Sequence, residues 1–136
     1  MKSNQNHQSS KLQIVLFFIL VLFFFMGGVN HFRNPEFYLM MIPPFLPFPD
    51  EINIISGLAE ILLALMLLFP ITRKLACYGL IALLVAVFPA NIYMFVNSLS
   101  GFSYAVPTWA LALRLPFQFL FIYWVWKMKD VVIQSK

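Results

Sequence analysis

Apolar residues along this chain gather into long unbroken runs instead of alternating with polar ones, and short polar or proline-bearing breaks separate the runs. After the polar leader MKSNQNHQSSK, the segment LQIVLFFILVLFFFMGGVNHF gives a first run over about residues 12–31. A second covers about 51–69, a third about 74–97 and a fourth about 107–127. Each is close to the ~20 apolar residues that a helix needs to cross the hydrocarbon of a bilayer, so the pattern predicts spanning helices and no strands. A signal peptide is the competing reading of the first run, but no A-x-A-like cleavage site follows it and three more runs do, so it is expected to be retained. The predicted fold is all-α: an up-down four-helix transmembrane bundle over 12–127, between a disordered cytoplasmic tail at 1–11 and a second cytoplasmic tail at 128–136.

The breaks differ in kind. PITRK, between the second and third runs, is too short to hold a domain, and NSLSGFSYAVP, before the fourth, has the Gly, Ser and Pro content of a surface turn. The break NPEFYLMMIPPFLPFPDE carries five of the nine prolines. Asn34 suits a helix cap, Pro35 a first helical position and Glu36 the positive end of a helix dipole, which predicts a short interfacial helix over 35–42. Beyond it Pro43, Pro44, Pro47 and Pro49 forbid helix, while Phe45, Leu46 and Phe48 are apolar. The segment is expected to lie as an apolar lid on the membrane surface or over the bundle mouth, or to be an interfacial loop without a gating role.

Composition agrees with a membrane protein: 62% of the 136 residues are hydrophobic and 10% charged, which leaves no sequence for a separate soluble domain. The formal charge of +4 is spread over helix ends, so it does not make the patch or stripe of a nucleic-acid binder. With the amino terminus inside, Lys2, Lys11, Arg73, Lys74, Lys127, Lys129 and Lys136 all fall on the cytoplasmic side and Arg33 alone falls opposite, which predicts both termini cytoplasmic. Tyr38, Tyr93, Tyr104 and Trp109 then mark the outer interface, and Tyr78, Tyr123, Trp124 and Trp126 the inner one. The single cysteine, Cys77, excludes an intrachain disulfide and reads as a packed thiol.

Polar residues inside the runs are the candidates for function, because burying an unpaired charge in hydrocarbon is costly. Glu60 lies roughly 13 Å below the outer start of its helix, Arg114 roughly 10 Å below the start of the fourth, and Asn91 roughly 9 Å below the end of the third, at 1.5 Å per residue. Asn53, Ser56 and Glu60 share one face, as do Arg114 and Gln118. Ala82, Ala86 and Ala90 recur every four residues and allow close helix approach. Pro89 and Pro116 free the carbonyls of Val85 and Ala112, which polar neighbours or water must satisfy. The expected arrangement pairs Glu60 with Arg114, with Asn91, Gln118 and Ser56 completing hydrogen bonds and His31 and Asn30 at the mouth. The pair is either architectural glue, or part of a polar ligand site, or the two charges act apart.

Other chemistry is missing from the pattern. His7 and His31 have no Cys or carboxylate ligands at a recognised spacing, so no metal is expected. There is no G-x-S-x-G elbow, phosphate loop or dinucleotide fingerprint, and Gly27–Gly28 reads as a packing or bending feature.

The ordered set GGVNHF, IPPFLP, ISGLAEILLALMLLFP, TRK, VFPANIYM and VPTWALALRLPFQ resembles the DoxX-like family of small four-helix membrane proteins, over about residues 14–127. The positions that match its recurrent pattern are His31, Pro43, Pro44, Gly57, Glu60, Pro89, Asn91, Arg114, Pro116 and Gln118. The resemblance implies a bacterial cytoplasmic membrane protein, linked through some members to redox systems such as a thiosulfate:quinone oxidoreductase. It transfers no catalytic assignment. Redox proteins of similar four-helix build, such as the vitamin K epoxide reductase fold, use cysteine pairs that this chain lacks, so electron transfer here would need a bound quinone or a partner protein. Three functions stay open: a redox-associated subunit holding a quinone or similar lipophile at Glu60, Arg114, Asn91, Gln118, Ser56 and His31; a non-enzymatic scaffold or assembly factor; and a small proton-coupled transporter. Expected partners are membrane lipid, a membrane or periplasmic redox protein and a second copy of the chain, with no nucleic acid.

Overall fold

The computed structural model describes residues 9–104 and 106–133. Residues 1–8 of the expected leader and 134–136 of the expected second tail lie outside them. Among the described residues every regular element is a helix: α1 (Lys11–Arg33), α2 (Pro35–Leu39), α3 (Pro49–Leu67), α4 (Arg73–Leu99) and α5 (Thr108–Met128). α1, α4 and α5 are each long and apolar enough to cross a membrane, which marks a helical membrane protein. α3, at 19 residues the shortest of the four long helices, carries Asp50, Glu51 and Glu60.

Local chemistry sets the ends. Ser10 and Gln13 form a reciprocal capping box at the start of α1, satisfying two donors that the first turn leaves orphaned. Asn34, expected to cap α2 with its side chain, makes no such bond. It closes α1 instead, its N–H donating to the Asn30 carbonyl, because α2 begins at the next residue. α2 is shorter than expected and ends at Leu39 in a run of turns. At the far end of the lid Phe48 adopts the left-handed conformation, φ 56°, just before Pro49 opens α3. That geometry costs a non-glycine residue about 1 kcal/mol and gives the chain its sharp entry into α3. Gly101, at φ 97°, makes the equivalent bend between α4 and α5.

α1 packs most extensively on α3, α4 on α5, and α3 on α4, while α1 only touches α5 and α3 does not pack on α5. The four long helices thus form a ring that is nearly open between α1 and α5. Phe23 and Phe121, stacked at 4.9 Å, bridge that opening.

Packing is uneven along the bundle. Phe17, Leu20, Phe24, Ala64, Leu67, Ala76, Cys77, Leu80, Val125 and Met128 form one buried cluster at the end where α1 begins and α5 finishes. Cys77 is wholly buried there, as its apolar setting implied. Arg73 ties this basic end together. Its Nε donates to the Leu67 carbonyl at 2.9 Å, one terminal nitrogen to Val131 at 2.7 Å and the other to Leu68 at 3.5 Å, with the guanidinium over the Phe17 ring at 4.8 Å. Leu67 and Leu68 close α3, so their carbonyls have no helical partner, and a five-donor fork supplies one. Nearby, Lys129 lies 2.6 Å from Asp130 and holds that carboxyl below the usual carboxylate range.

The opposite, proline-rich end is looser. Its buried residues include three polar side chains, His31, Asn53 and Gln118, beside Gly28, Pro43, Gly57, Met94 and Leu111. Tight packing at one end and polar contacts at the other leave room for a cavity under the lid.

Candidate functional site

The site begins with glycine. At Gly28 a Cβ would lie 2.8 Å from the Gly57 carbonyl oxygen, and at Gly57 it would lie 2.7 Å from the His31 Cβ, so α1 and α3 touch backbone to backbone. Such approach is the usual use of small residues between membrane helices. It sets His31 of α1 directly against the Asn53–Gly57–Glu60 face of α3.

The His31 ring is 2.8 Å, through Nδ1, from Asn53 Oδ1, and Asn53 Nδ2 donates to the His31 backbone carbonyl at 3.1 Å. This second bond fixes the amide. A carbonyl can only accept, so the NH2 group of Asn53 must face it and Oδ1 must face the ring, which requires the proton on Nδ1. The other ring nitrogen, Nε2, lies 3.8 Å from Glu60 Oε1. That separation is beyond hydrogen-bond reach, and with Nδ1 donating to Asn53 the ring turns its second nitrogen toward the carboxylate, a contact that becomes an ion pair when the ring is doubly protonated. The Glu60 side chain keeps one-fifth of its surface open.

Above the pair, Tyr38 of α2 stacks on the His31 ring at 3.7 Å, and its hydroxyl accepts from Asn30 Nδ2 at 3.0 Å. A cavity of about 210 Å3 lies beside these groups, with His31, Asn53, Ser56 and Glu60 as its polar wall. Ala86 and Ala90 of α4 line the opposite side, where small side chains leave the space. Met41, Ile42, Pro43 and Leu46 bound the top, so the proline-rich segment does lie over the bundle mouth.

Glu60 does not pair with Arg114. Similar depths were expected from the sequence, but α3 and α5 are not neighbours, and Glu60 turns instead toward α1, where Gly27 has no side chain in its way. Arg114 sits over the Phe37 ring at 5.8 Å, and one of its terminal nitrogens is buried without a hydrogen-bond partner among the described residues. Asn91 and Gln118 do meet, between α4 and α5: Asn91 Nδ2 donates to Gln118 Oε1 at 2.6 Å, and Gln118 Nε2 donates to the Leu84 carbonyl. That carbonyl is next to Val85, whose own acceptor loses its partner at Pro89. The single polar cluster expected from the sequence is thus two networks with a separate arginine. His31, Ser56 and Glu60 border the cavity; Asn91, Gln118 and Arg114 do not.

Tyr38 and Asn53 take larger parts than the sequence reading gave them. Tyr38 stood there as an interface marker and Asn53 only as one member of a polar face. Among the described residues no group of three or more His, Cys, Asp or Glu side chains is gathered as for a metal ion.

No curated protein and no solved structure matches the chain. The model of the family described as "Domain of unknown function (DUF8561)" matches residues 20–129, from the middle of α1 to just past the end of α5, and the chain belongs to that family.

Proposed function

We propose that the protein is a four-crossing membrane protein that binds the polar head of a lipophile, with a quinone as the type case, in the cavity beneath the proline-rich lid. In this reading α3 is the fourth crossing. Its 19 residues rise about 28 Å, its two leading carboxylates fall at the membrane surface, and Glu60 is sheltered against α1. The chain is DoxX-like and resides in the bacterial cytoplasmic membrane with both termini inside, as the bias of basic residues toward one end supports. It serves as a redox-associated subunit, and any electron transfer runs through the bound lipophile or a partner protein.

One observation carries the reading: apolar walls enclose a small space whose polar side is formed by His31, Asn53, Ser56 and Glu60. Pockets of this make-up bind ligands through a few fixed polar groups in an apolar surround. A quinone carbonyl needs a donor, and the His31–Glu60 pair, Ser56 and Tyr38 can each offer one.

Binding of decylubiquinone to protein in lipid nanodiscs tests this. Saturable binding that weakens at least about tenfold in both Glu60→Gln and Asn53→Leu is expected, the second because it frees the His31 tautomer; a tenfold loss corresponds to ~1.4 kcal/mol. No saturable binding by the wild-type chain refutes the proposal.

A second reading draws on the absence of Arg114 from Glu60. A carboxylate free of arginine can exchange its proton, which suits a small proton-coupled transporter. Proton-gradient-driven substrate uptake into proteoliposomes, lost in Glu60→Gln, would favour it over the first.

A further inference from the structure

The cavity under the lid holds a head and little more. At about 210 Å3 it falls below the roughly 300–1,000 Å3 of pockets that enclose whole drug-sized ligands. A lipophile bound there must run its chain elsewhere.

A second space adjoins it. A groove of about 600 Å3 follows the lipid-facing side of α1, lined by Ile19, Leu22, Phe23 and Met26 and turning polar at Asn30 and Arg33. From Asn30 to Ile19 it descends about 16 Å at the helical rise. Two features join groove and cavity. Tyr38 lines both, its ring on His31 and its hydroxyl on Asn30. Gly27 lies in the groove wall, and a Cβ there would come within 2.9 Å of Glu60 Oε2, so the missing side chain leaves the carboxylate next to the groove. Polarity along the path runs from charged and hydrogen-bonding at the junction to wholly apolar at the far end, which is the polarity of a single-tailed amphiphile.

We propose that groove and cavity form one two-part site, in which the polar head of a bilayer lipophile meets His31 and Glu60 and its single alkyl or isoprenoid chain lies along α1 over Phe23, Leu22 and Ile19. This rests on the lipophile-binding reading above. It adds that the ligand comes from the bilayer, past Gly27 and Tyr38, and that the chain as well as the head is recognised.

The test is photocrosslinking of the full chain in nanodiscs with a benzoquinone whose decyl tail ends in a diazirine, mapped by peptide sequencing. Crosslinks concentrated on residues 19–26, and lost on adding excess tailless benzoquinone, are expected. Crosslinks that the tailless ring removes but that map to the α3 or α4 surface overturn the groove while leaving the cavity reading standing. Crosslinks on α1 that the tailless ring does not remove are ordinary lipid contact and also overturn it. If no crosslink anywhere responds to the tailless ring, the head-group site itself fails. As a second measurement, Leu22→Trp fills the groove at a lipid-facing position. It should lower the affinity of the tailed ligand several-fold and leave that of the tailless ring unchanged; equal affinities for the tailed ligand refute the proposal.

Discussion

Arg73 is the residue whose replacement the structure prices most directly. It is 5% exposed, and its planar fork reaches three carbonyls that close α3 and anchor the segment after α5. Two of those bonds, at 2.9 and 2.7 Å, are short, and charge-assisted bonds of this kind contribute about 1.5–3 kcal/mol each. The third, at 3.5 Å, is too long to count for much. Arg73→Met also removes the cost of burying a guanidinium, which offsets part of the loss. The net expectation is a destabilisation of about 2–4 kcal/mol at the basic end. Cys77, wholly buried one turn along α4, reports this locally. Labelling of its thiol by a membrane-permeant maleimide requires that end to open, so about 2 kcal/mol should appear as a roughly 30-fold faster reaction. Arg73→Lys separates fork from charge: it keeps the positive residue that topology needs but offers one ammonium to three carbonyls, and should fall between wild type and Met. A Lys variant labelled as slowly as wild type would refute the argument from geometry and leave Arg73 as a topological charge only.

Three further outcomes follow from other contacts. Gly57→Ala places a methyl group 2.7 Å from the His31 Cβ and 3.1 Å from the Gly28 carbonyl; overpacking of about 1–3 kcal/mol, less up to about 1 kcal/mol of regained helix propensity, should lower stability in detergent unfolding and weaken decylubiquinone binding together. Gln118→Leu strands the Asn91 amide, and a double-mutant cycle with Asn91→Leu should return a coupling of about 0.5–1.5 kcal/mol by the same unfolding titration, near zero if the two amides do not meet. Asp130 titrates below its ordinary range because Lys129 hydrogen-bonds it, so its small stabilising contribution is present above the unfolded carboxylate pKa and is lost as pH falls through the lower folded one; an NMR titration of its carboxyl should move upward in Lys129→Gln.

Three of the expected runs were legible as helices able to cross a membrane, α1, α4 and α5, because the length of an apolar run such as LQIVLFFILVLFFF decides it, whereas the acidic residues of α3 set the second run apart. The neighbours of each helix were not legible. Lipid is as apolar as a core, so the apolar residues of a helix such as α5 can face either and their pattern does not reveal which side meets protein. Only the polar residues carried facing information, and they gave depth without adjacency. Glu60 and Arg114 were matched by depth, yet they lie on helices that do not pack together. Asn91 and Gln118, matched by the same logic, lie on helices that do. The signal that separates the two cases is glycine. Gly57 stands three residues before Glu60 and Gly27 four before His31, and two glycine-bearing faces on successive long helices point to each other more specifically than two charges do.

Those glycines also explain why the site lies where it does. A membrane helix such as α1 gains little by packing apolar side chains on a neighbour, since lipid would serve as well, so close backbone contact and hydrogen bonding are what hold it to α3 at the proline-rich end. Gly28 against Gly57 supplies the first, and the paired bonds between His31 and Asn53 supply the second. The same closeness forces the Glu60 carboxylate to settle over Gly27, where any larger residue would push it away. Stability of the α1–α3 pair and placement of the titratable pair are therefore one arrangement. A side chain at Gly27 should disturb Glu60 while sparing the backbone contact one residue on, because its Cβ meets only the carboxylate, the movable end of a side chain, whereas one at Gly28 meets the main chain of α3.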